Sequence, residues 1–390
     1  MATMIGGRGP DQLVVTPAWS LADLFAVRPE DAEAALAALV HDALGLTVLP
    51  TATRIEPVDY AMGSPATGAL LRVLGASVEG QPWGFFCKVL QHVRHWPTLP
   101  MLPEGFREMF ARDFPWRQEL VLWAEPFAPT APAGMRPPAM HALIELPDDR
   151  VAVWTELVDE CDEPWRPERF RRAARLLGQW NQRASKPEVL ASAVIEMGSP
   201  LRLYATHTVP LRGLAPLADD DLWSHPWLAR EAGLRASLRE LGARVPAVMD
   251  RLDGLPQCIP HGDASPQNLL VPRDAPLEFR AIDVAFHASC PIGMDLGQLL
   301  VGLVHAGHLD PVTLPGLVEL VVSAYVEGLL DEGWSGAATD VGVGFVGAML
   351  VRSGFDSFRY DLLGAGDPPP EFTSRVELSR WIAEMAHQVF

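Results

Sequence analysis

His261-Gly262-Asp263-Ala264-Ser265-Pro266-Gln267-Asn268-Leu269-Leu270 is the stretch on which the reading of this chain turns, together with Ala281-Ile282-Asp283-Val284 after it. Asp263 and Asn268 stand five positions apart on a loop that Gly262 and Pro266 allow to curl, so both side chains can face one point. A short apolar strand then delivers Asp283, 20 residues after Asp263. An amide oxygen with a carboxylate is a hard, all-oxygen ligand set, the kind Mg²⁺ accepts while keeping water and phosphate oxygens. That leaves Asp263 to orient or deprotonate a hydroxyl nucleophile.

Outward from this loop the texture of the chain divides in two. Toward the N-terminus, Pro29-Glu30-Asp31 opens a predicted helix that runs to about Leu44 and stops at Gly45. Residues 70–78 and 83–90 read as a hairpin around Glu79-Gly80-Gln81-Pro82. Two helical signals follow over residues 103–112 and 115–125, each with proline at its start. Strands are predicted over 141–146 and 151–158, joined by Pro147-Asp148-Asp149-Arg150. Residues 168–183 form a predicted amphipathic helix with Phe170, Ala173, Ala174, Leu177 and Trp180 on one stripe. Beyond it the chain reads as mostly helical, broken only by the patch from 259 to 284. The class is therefore α+β: a strand-rich N-terminal lobe over 1–157 with a helical extension, and a mainly helical lobe over 158–390.

Composition narrows the function classes. The 390 residues suit about two domains, and a net charge of −18 argues against nucleic acid or an anionic membrane as a partner. Four scattered cysteines without a C-x-x-C pair indicate neither a disulfide framework nor a zinc site. The N-terminal residues carry no apolar signal region, no run of 18 apolar residues occurs, and the reading is a soluble, cytoplasmic protein. Of 31 basic residues only two are lysine, Lys88 and Lys186. Lys88 ends the apolar run Trp83-Gly84-Phe85-Phe86-Cys87, where an ammonium needs an anionic partner to offset its desolvation.

The pattern H-G-D-x-x-x-x-N followed by a strand-end aspartate resembles the signature of the aminoglycoside phosphotransferase and choline kinase group, small-molecule kinases of protein-kinase-like fold. Val284 after Asp283, in place of a D-F-G, suits that small-molecule branch. The resemblance implies a bilobal, protein-kinase-like fold and a phosphotransferase using Mg²⁺ and ATP or GTP. Asp263 is then the base, Asn268 and Asp283 hold the metal, and Lys88 grips the phosphates. A helix glutamate orients Lys88: Glu119 is the first choice and Glu108 the alternative. A turn containing Gly63, Ser64 and Gly68 covers the phosphates, and the backbone of Glu156 and Val158 reads the nucleobase.

The same resemblance makes Pro291-Ile292-Gly293-Met294-Asp295 the element whose aspartate holds the catalytic loop, with His261 as a brace. Asp295 also reads as a helix cap, Trp154 as core, and the acids over 156–163 and 219–221 as a solvated surface. Chemistry leaves two rivals, a nucleotide-binding pseudokinase or scaffold without turnover and a metal-dependent hydrolase. The implied acceptor is an aminoglycoside-like antibiotic, an amino alcohol or a sugar.

Overall fold

The computed structural model describes residues 19–49, 52–58, 64–193, 199–284, 287–364 and 366–390. Its principal helices are α1 (Leu21–Phe25), α2 (Ala32–Leu44), α3 (Glu104–Asp113), α4 (Pro167–Arg183), α5 (Ala232–Asp253), α6 (Asp295–His305), α7 (Leu314–Asp331), α8 (Ala338–Met349) and α9 (Pro370–Val389). The first six strands are β1 (Arg54–Pro57), β2 (Thr67–Ala76), β3 (Pro82–Gln91), β4 (Met135–Arg136), β5 (Met140–Leu146) and β6 (Arg150–Glu156). Four short ones follow: β7 (Gln257–Cys258), β8 (Leu269–Leu270), β9 (Phe279–Ala281) and β10 (Cys290–Pro291). The α+β class expected from the sequence is the class observed.

The chain divides into two compact units. One runs to Trp123 and resumes over Pro137–Asp159; the other comprises Ala124–Arg136 and Glu160–Phe390. This corrects the expectation of one boundary after residue 157. Residues 124–136 belong to the second unit because β4 pairs there, in parallel, with β9. Pro126, Pro129 and Pro132 leave this stretch with no regular periodicity in sequence.

In the first unit, five antiparallel strands lie in the order β1-β2-β3-β6-β5. Alternation along β3 turns Phe85, Cys87 and Val89 to one face, where they join Leu71, Val73 and Trp154 in a fully apolar cluster. Trp154 is core, stacked on Phe25 of α1 at 4.7 Å. Helix α2 stops where expected: Gly45 sits at φ +68° and donates to the His41 carbonyl. The β5–β6 hairpin pairs Leu146 with Arg150 across a three-residue loop, 147–149, in which Asp148 and Asp149 both take positive φ. The helix expected over 115–125 is instead a 3₁₀ turn, Gln118–Trp123. Trp116, Leu120 and Trp123 pack on Leu90, Val151 and Val153 of the sheet, and this packing sets its winding.

In the second unit, the stripe predicted on α4 is buried, and α4 crosses α7 with backbone against backbone. A methyl group on Gly178 would lie 2.2 Å from the Tyr325 carbonyl oxygen, and one on Gly328 would lie 1.9 Å from that of Arg175. Only glycine allows this approach. The segment Pro311–Asp331, which includes α7, is the one helix among the described residues long and apolar enough to cross a membrane by length and composition. It carries Glu319 and Glu327, so it is no uninterrupted apolar run. The patch from 259 to 284 supplies β8 and β9, which join β4 in the order β4-β9-β8, while β7 and β10 pair with each other on either side of it.

Candidate active site

The candidate residues fall into two groups, one in each unit. On β3, Lys88 faces the same way as Leu90 and stands opposite Val153 of β6. Leu90, Val151 and Val153 make an apolar patch, and Trp116, Leu120 and Trp123 pack on it. These anchors dock the turn Gln118–Trp123 onto the sheet and set Glu119 Oε2 2.5 Å from Lys88 Nζ. Their side chains are only 11% and 14% exposed, so each charge depends on the other to offset its loss of water. Glu108, the alternative, is exposed on α3.

The remaining expected nucleotide contacts of this unit are distributed as follows. Gly63 lies outside the described residues. The Ser64 carbonyl accepts from Thr67 N–H at 3.2 Å, and Gly68 lies on β2 so close to Gln91 that a methyl would meet its side-chain oxygen at 2.9 Å. Glu156 ends β6; its N–H donates to the Ala139 carbonyl at 2.8 Å and its carboxylate accepts from Ala139 N–H at 2.9 Å. Val158 follows, half-buried and past the strand.

In the second unit the loop after β7 is shaped first by its backbone. Gly262 takes φ +80°, a conformation that glycine adopts without strain. Ser265 N–H then donates to the Asp263 carbonyl at 2.7 Å, and Asn268 N–H to the Ser265 carbonyl at 2.9 Å, curling the loop back on itself. Helix α6 closes against it: a methyl on Gly302 would lie 2.5 Å from Ser265 Cβ.

Asp295, in the first turn of α6, organises the loop from below. Its carboxylate accepts from His261 N–H at 3.0 Å, Gly262 N–H at 2.8 Å and the Asn181 amide of α4 at 2.9 Å. Burial pushes its carboxyl up to about 6, although these backbone donors and Arg352 pull the other way. His261 is fully enclosed, with Trp180 edge-on at 6.0 Å. Its ring Nδ1 accepts from Asp263 N–H at 3.3 Å. Burial drives its pKa down to about 4, against the attraction of Asp263 and Asp283.

Asp263 itself is held on both carboxylate oxygens. Arg352 Nη2 donates to Oδ1 at 2.9 Å, and Asn268 Nδ2 donates to Oδ2 at 3.1 Å and to the Asp263 carbonyl at 2.9 Å. With its nitrogen committed, Asn268 keeps Oδ1 available as a ligand. The β8–β9 hairpin pairs Leu269 with Ala281, and Ile282 N–H donates to the Asn268 carbonyl, so Asp283 arrives one residue past the partner of Asn268. Asp283 has φ +57°, which for a residue with a Cβ stores about 1–2 kcal/mol of strain.

An amide oxygen from Asn268 and a carboxylate oxygen from Asp283 are donor types that a divalent cation of the Mg²⁺ type accepts. Among the described residues no group of three or more His, Cys, Asp or Glu side chains is placed to cage a metal. A site of one amide and one carboxylate oxygen instead suits an ion that completes its shell with water and phosphate.

Two residues in this constellation were not singled out in sequence, Arg352 and Asn181. The signal for Arg352 is a lone charge ending the apolar run from 341 to 351. For Asn181 it is a buried amide that ends the apolar stripe of α4.

No family model matches the chain. No curated protein matches it either. Solved structures do. An aminoglycoside phosphotransferase from Alicyclobacillus acidocaldarius is 14% identical, with 85% of this chain and 89% of that one covered at a TM-score of 0.46. Spectinomycin phosphotransferase in complex with ADP and spectinomycin is 11% identical, with 91% and 98% covered at 0.47. Amicoumacin kinase in complex with AMP-PNP and Ca²⁺ is 10% identical, with 86% and 88% covered at 0.48. The solved structures to which the chain is similar are thus small-molecule phosphotransferases.

Proposed function

We propose that this chain is a phosphotransferase that moves the γ-phosphoryl group of ATP or GTP to a hydroxyl of a small molecule, with Mg²⁺ as cofactor. The acceptor class is an aminoglycoside-like antibiotic, an amino alcohol or a sugar. The observation that carries this reading is the setting of Asp263. Its carboxylate is fixed by Arg352 and Asn268 yet stays 30% exposed, on the same loop as Asn268, whose hairpin partner Ile282 immediately precedes Asp283.

Asp263 accepts a hydrogen bond from the acceptor hydroxyl and takes its proton as transfer proceeds. The acceptor oxygen forms its bond to the γ-phosphorus while the bond from that phosphorus to the β,γ-bridging oxygen breaks. The electron pair leaves on the nucleoside diphosphate. Asn268 Oδ1 and Asp283 would hold the divalent cation, which would supply neutralisation of phosphate charge. Lys88 binds the α- and β-phosphates as a point charge, and Glu119 keeps it pointed there. His261 and Asp295 hold the loop in register and touch no substrate.

The test is a release assay for nucleoside diphosphate with Mg²⁺ and ATP or GTP, run against a panel of aminoglycosides, other hydroxylated antibiotics, amino alcohols and sugars. Acceptor-dependent turnover is expected, falling by about three orders of magnitude or more in Asp263→Asn. Near-full activity in that variant would remove Asp263 from the role. ATP binding without acceptor-dependent turnover would favour a pseudokinase, and activity without nucleotide a hydrolase.

A further inference from the structure

The chain turns unusually just after α8. Residues Leu350–Gly354 form a π-helical turn, one residue wider than an α-turn, and Arg352 lies in its middle. The turn follows α8, whose residues from Val343 to Met349 are all buried, and from it the guanidinium reaches the catalytic loop. Its Nη1 donates to the Gly262 carbonyl and its Nη2 to Asp263 Oδ1. One planar group therefore holds both the backbone step before Asp263 and one oxygen of the Asp263 carboxylate.

The turn is itself held from behind. Phe355 fills the space over Gly213, where a methyl would lie 2.5 Å from Phe355 Cβ, and Arg212 pairs with Asp356 at 2.9 Å. Gly213 and Arg212 belong to a second π-wound segment, Tyr204–Leu214. Two irregular windings thus brace each other immediately behind the arginine. The Arg352 side chain is 5% exposed, so it does not face solvent as a surface ion pair would. A guanidinium this deeply enclosed is retained only where its hydrogen bonds are met.

We propose that Arg352 is the positioning residue of the phosphoryl-transfer site: it fixes the rotamer of Asp263 so that the second carboxylate oxygen faces the acceptor hydroxyl. The inference rests on Asp263 being the group that receives that hydroxyl. Arg352 acts through Asp263 and touches neither nucleotide nor acceptor. The motif H-G-D carries glycine before the aspartate and so brings no guanidinium of its own; the π-turn supplies one from 89 residues downstream.

The experiment is a double-mutant cycle on the full chain with an acceptor found in the panel. Arg352→Ala is expected to lower kcat by about 100-fold, with KM for the nucleotide changed by less than about 3-fold. Added guanidinium ion should restore part of that loss, and Arg352→Lys should fall between. In the Asp263→Asn background, removing Arg352 should cost less than about 3-fold more, because its effect passes through the missing carboxylate. Independent, multiplicative losses, or a rise in nucleotide KM alone, would overturn the proposal.

A crystal structure of Arg352→Gln supplies a readout that needs no turnover. The Asp263 carboxylate should leave its position while the rest of the loop holds. A carboxylate still in place on Asn268 alone would overturn the inference even in an active enzyme. If the wild-type chain transfers phosphate to no acceptor, the functional reading fails by itself, and this structural arm still decides whether Arg352 sets the Asp263 rotamer.

Discussion

The side-chain amide of Asn181 donates to Asp295 Oδ2 at 2.9 Å, joining α4 to the start of α6 across 114 residues of sequence. The same oxygen accepts from His261 N–H, so one carboxylate ties a helix to the loop that carries Asp263. Replacing Asn181 by alanine leaves a buried carboxylate short of one donor and should destabilise the chain by about 1–3 kcal/mol in urea unfolding. Asp295→Ala should destabilise it more, since it orphans the buried N–H groups of both His261 and Gly262.

Lys88 and Glu119 should be inseparable in function. Lys88→Arg keeps the charge but puts a planar fork where a strand packed on both sides holds a compact ammonium. Nucleotide-dependent turnover should fall by roughly 10-fold or more, with a smaller ATP–Mg²⁺ thermal shift. Glu119→Gln should weaken nucleotide binding in the same direction, whereas Glu108→Gln, at an exposed position of α3, should leave it unchanged.

The left-handed backbone at Asp283 allows strain and ligation to be separated. Asp283→Gly and Asp283→Ala both remove the carboxylate and should abolish metal-dependent turnover. Glycine relieves the strained φ and alanine does not, so the glycine variant should be more stable than the alanine one by about 1 kcal/mol in thermal or chemical unfolding. Equal stabilities would show that the φ carries no strain.

His305, at the end of α6, gives a pH dependence with a definite sign. Burial lowers its pKa from 6.5 to about 3, with Arg375 and Arg352 adding repulsion. Because the folded pKa is depressed, the unfolded chain binds the extra proton. Stability is therefore fully present above pH 6.5 and lost as pH falls from 6.5 toward 3. Between pH 7.5 and 5.0, wild type should lose about 2 kcal/mol more than His305→Leu in paired urea titrations. Parallel losses would place the sensitivity elsewhere.

How much of this was legible in the sequence depended on how local each piece is. Asp263 and Asn268 are close along the chain, and Asp283 comes back on the next strand, so spacing alone groups them. Lys88 stood out because a charge on an apolar strand needs a reason. Glu119 meets Lys88 although its segment winds as a 3₁₀ turn and not as the expected helix, since the carboxylate's position depends on the anchors Trp116, Leu120 and Trp123 more than on the winding between them. Arg352 and Asn181 were not legible. Each meets its partner through packing between distant elements, and a lone arginine after an apolar run looks like an ordinary helix end. The excursion over 124–136 was hidden for the same reason: its strand has two residues and exists only through its partner.

That excursion determines what can be cut from the chain. A fragment beginning at Glu160 would lack β4 and so expose the edge of β9, the strand that leads to Asp283. It would also lack Thr130, whose hydroxyl receives the buried indole N–H of Trp180. A fragment ending at Asp159 would keep a stretch whose partners had been left behind. The halves are threaded through each other in sequence, so neither can be excised, swapped with a relative or expressed alone by a single cut. An exchange that preserves both must carry residues 124–136 with the C-terminal part, as a two-piece transplant.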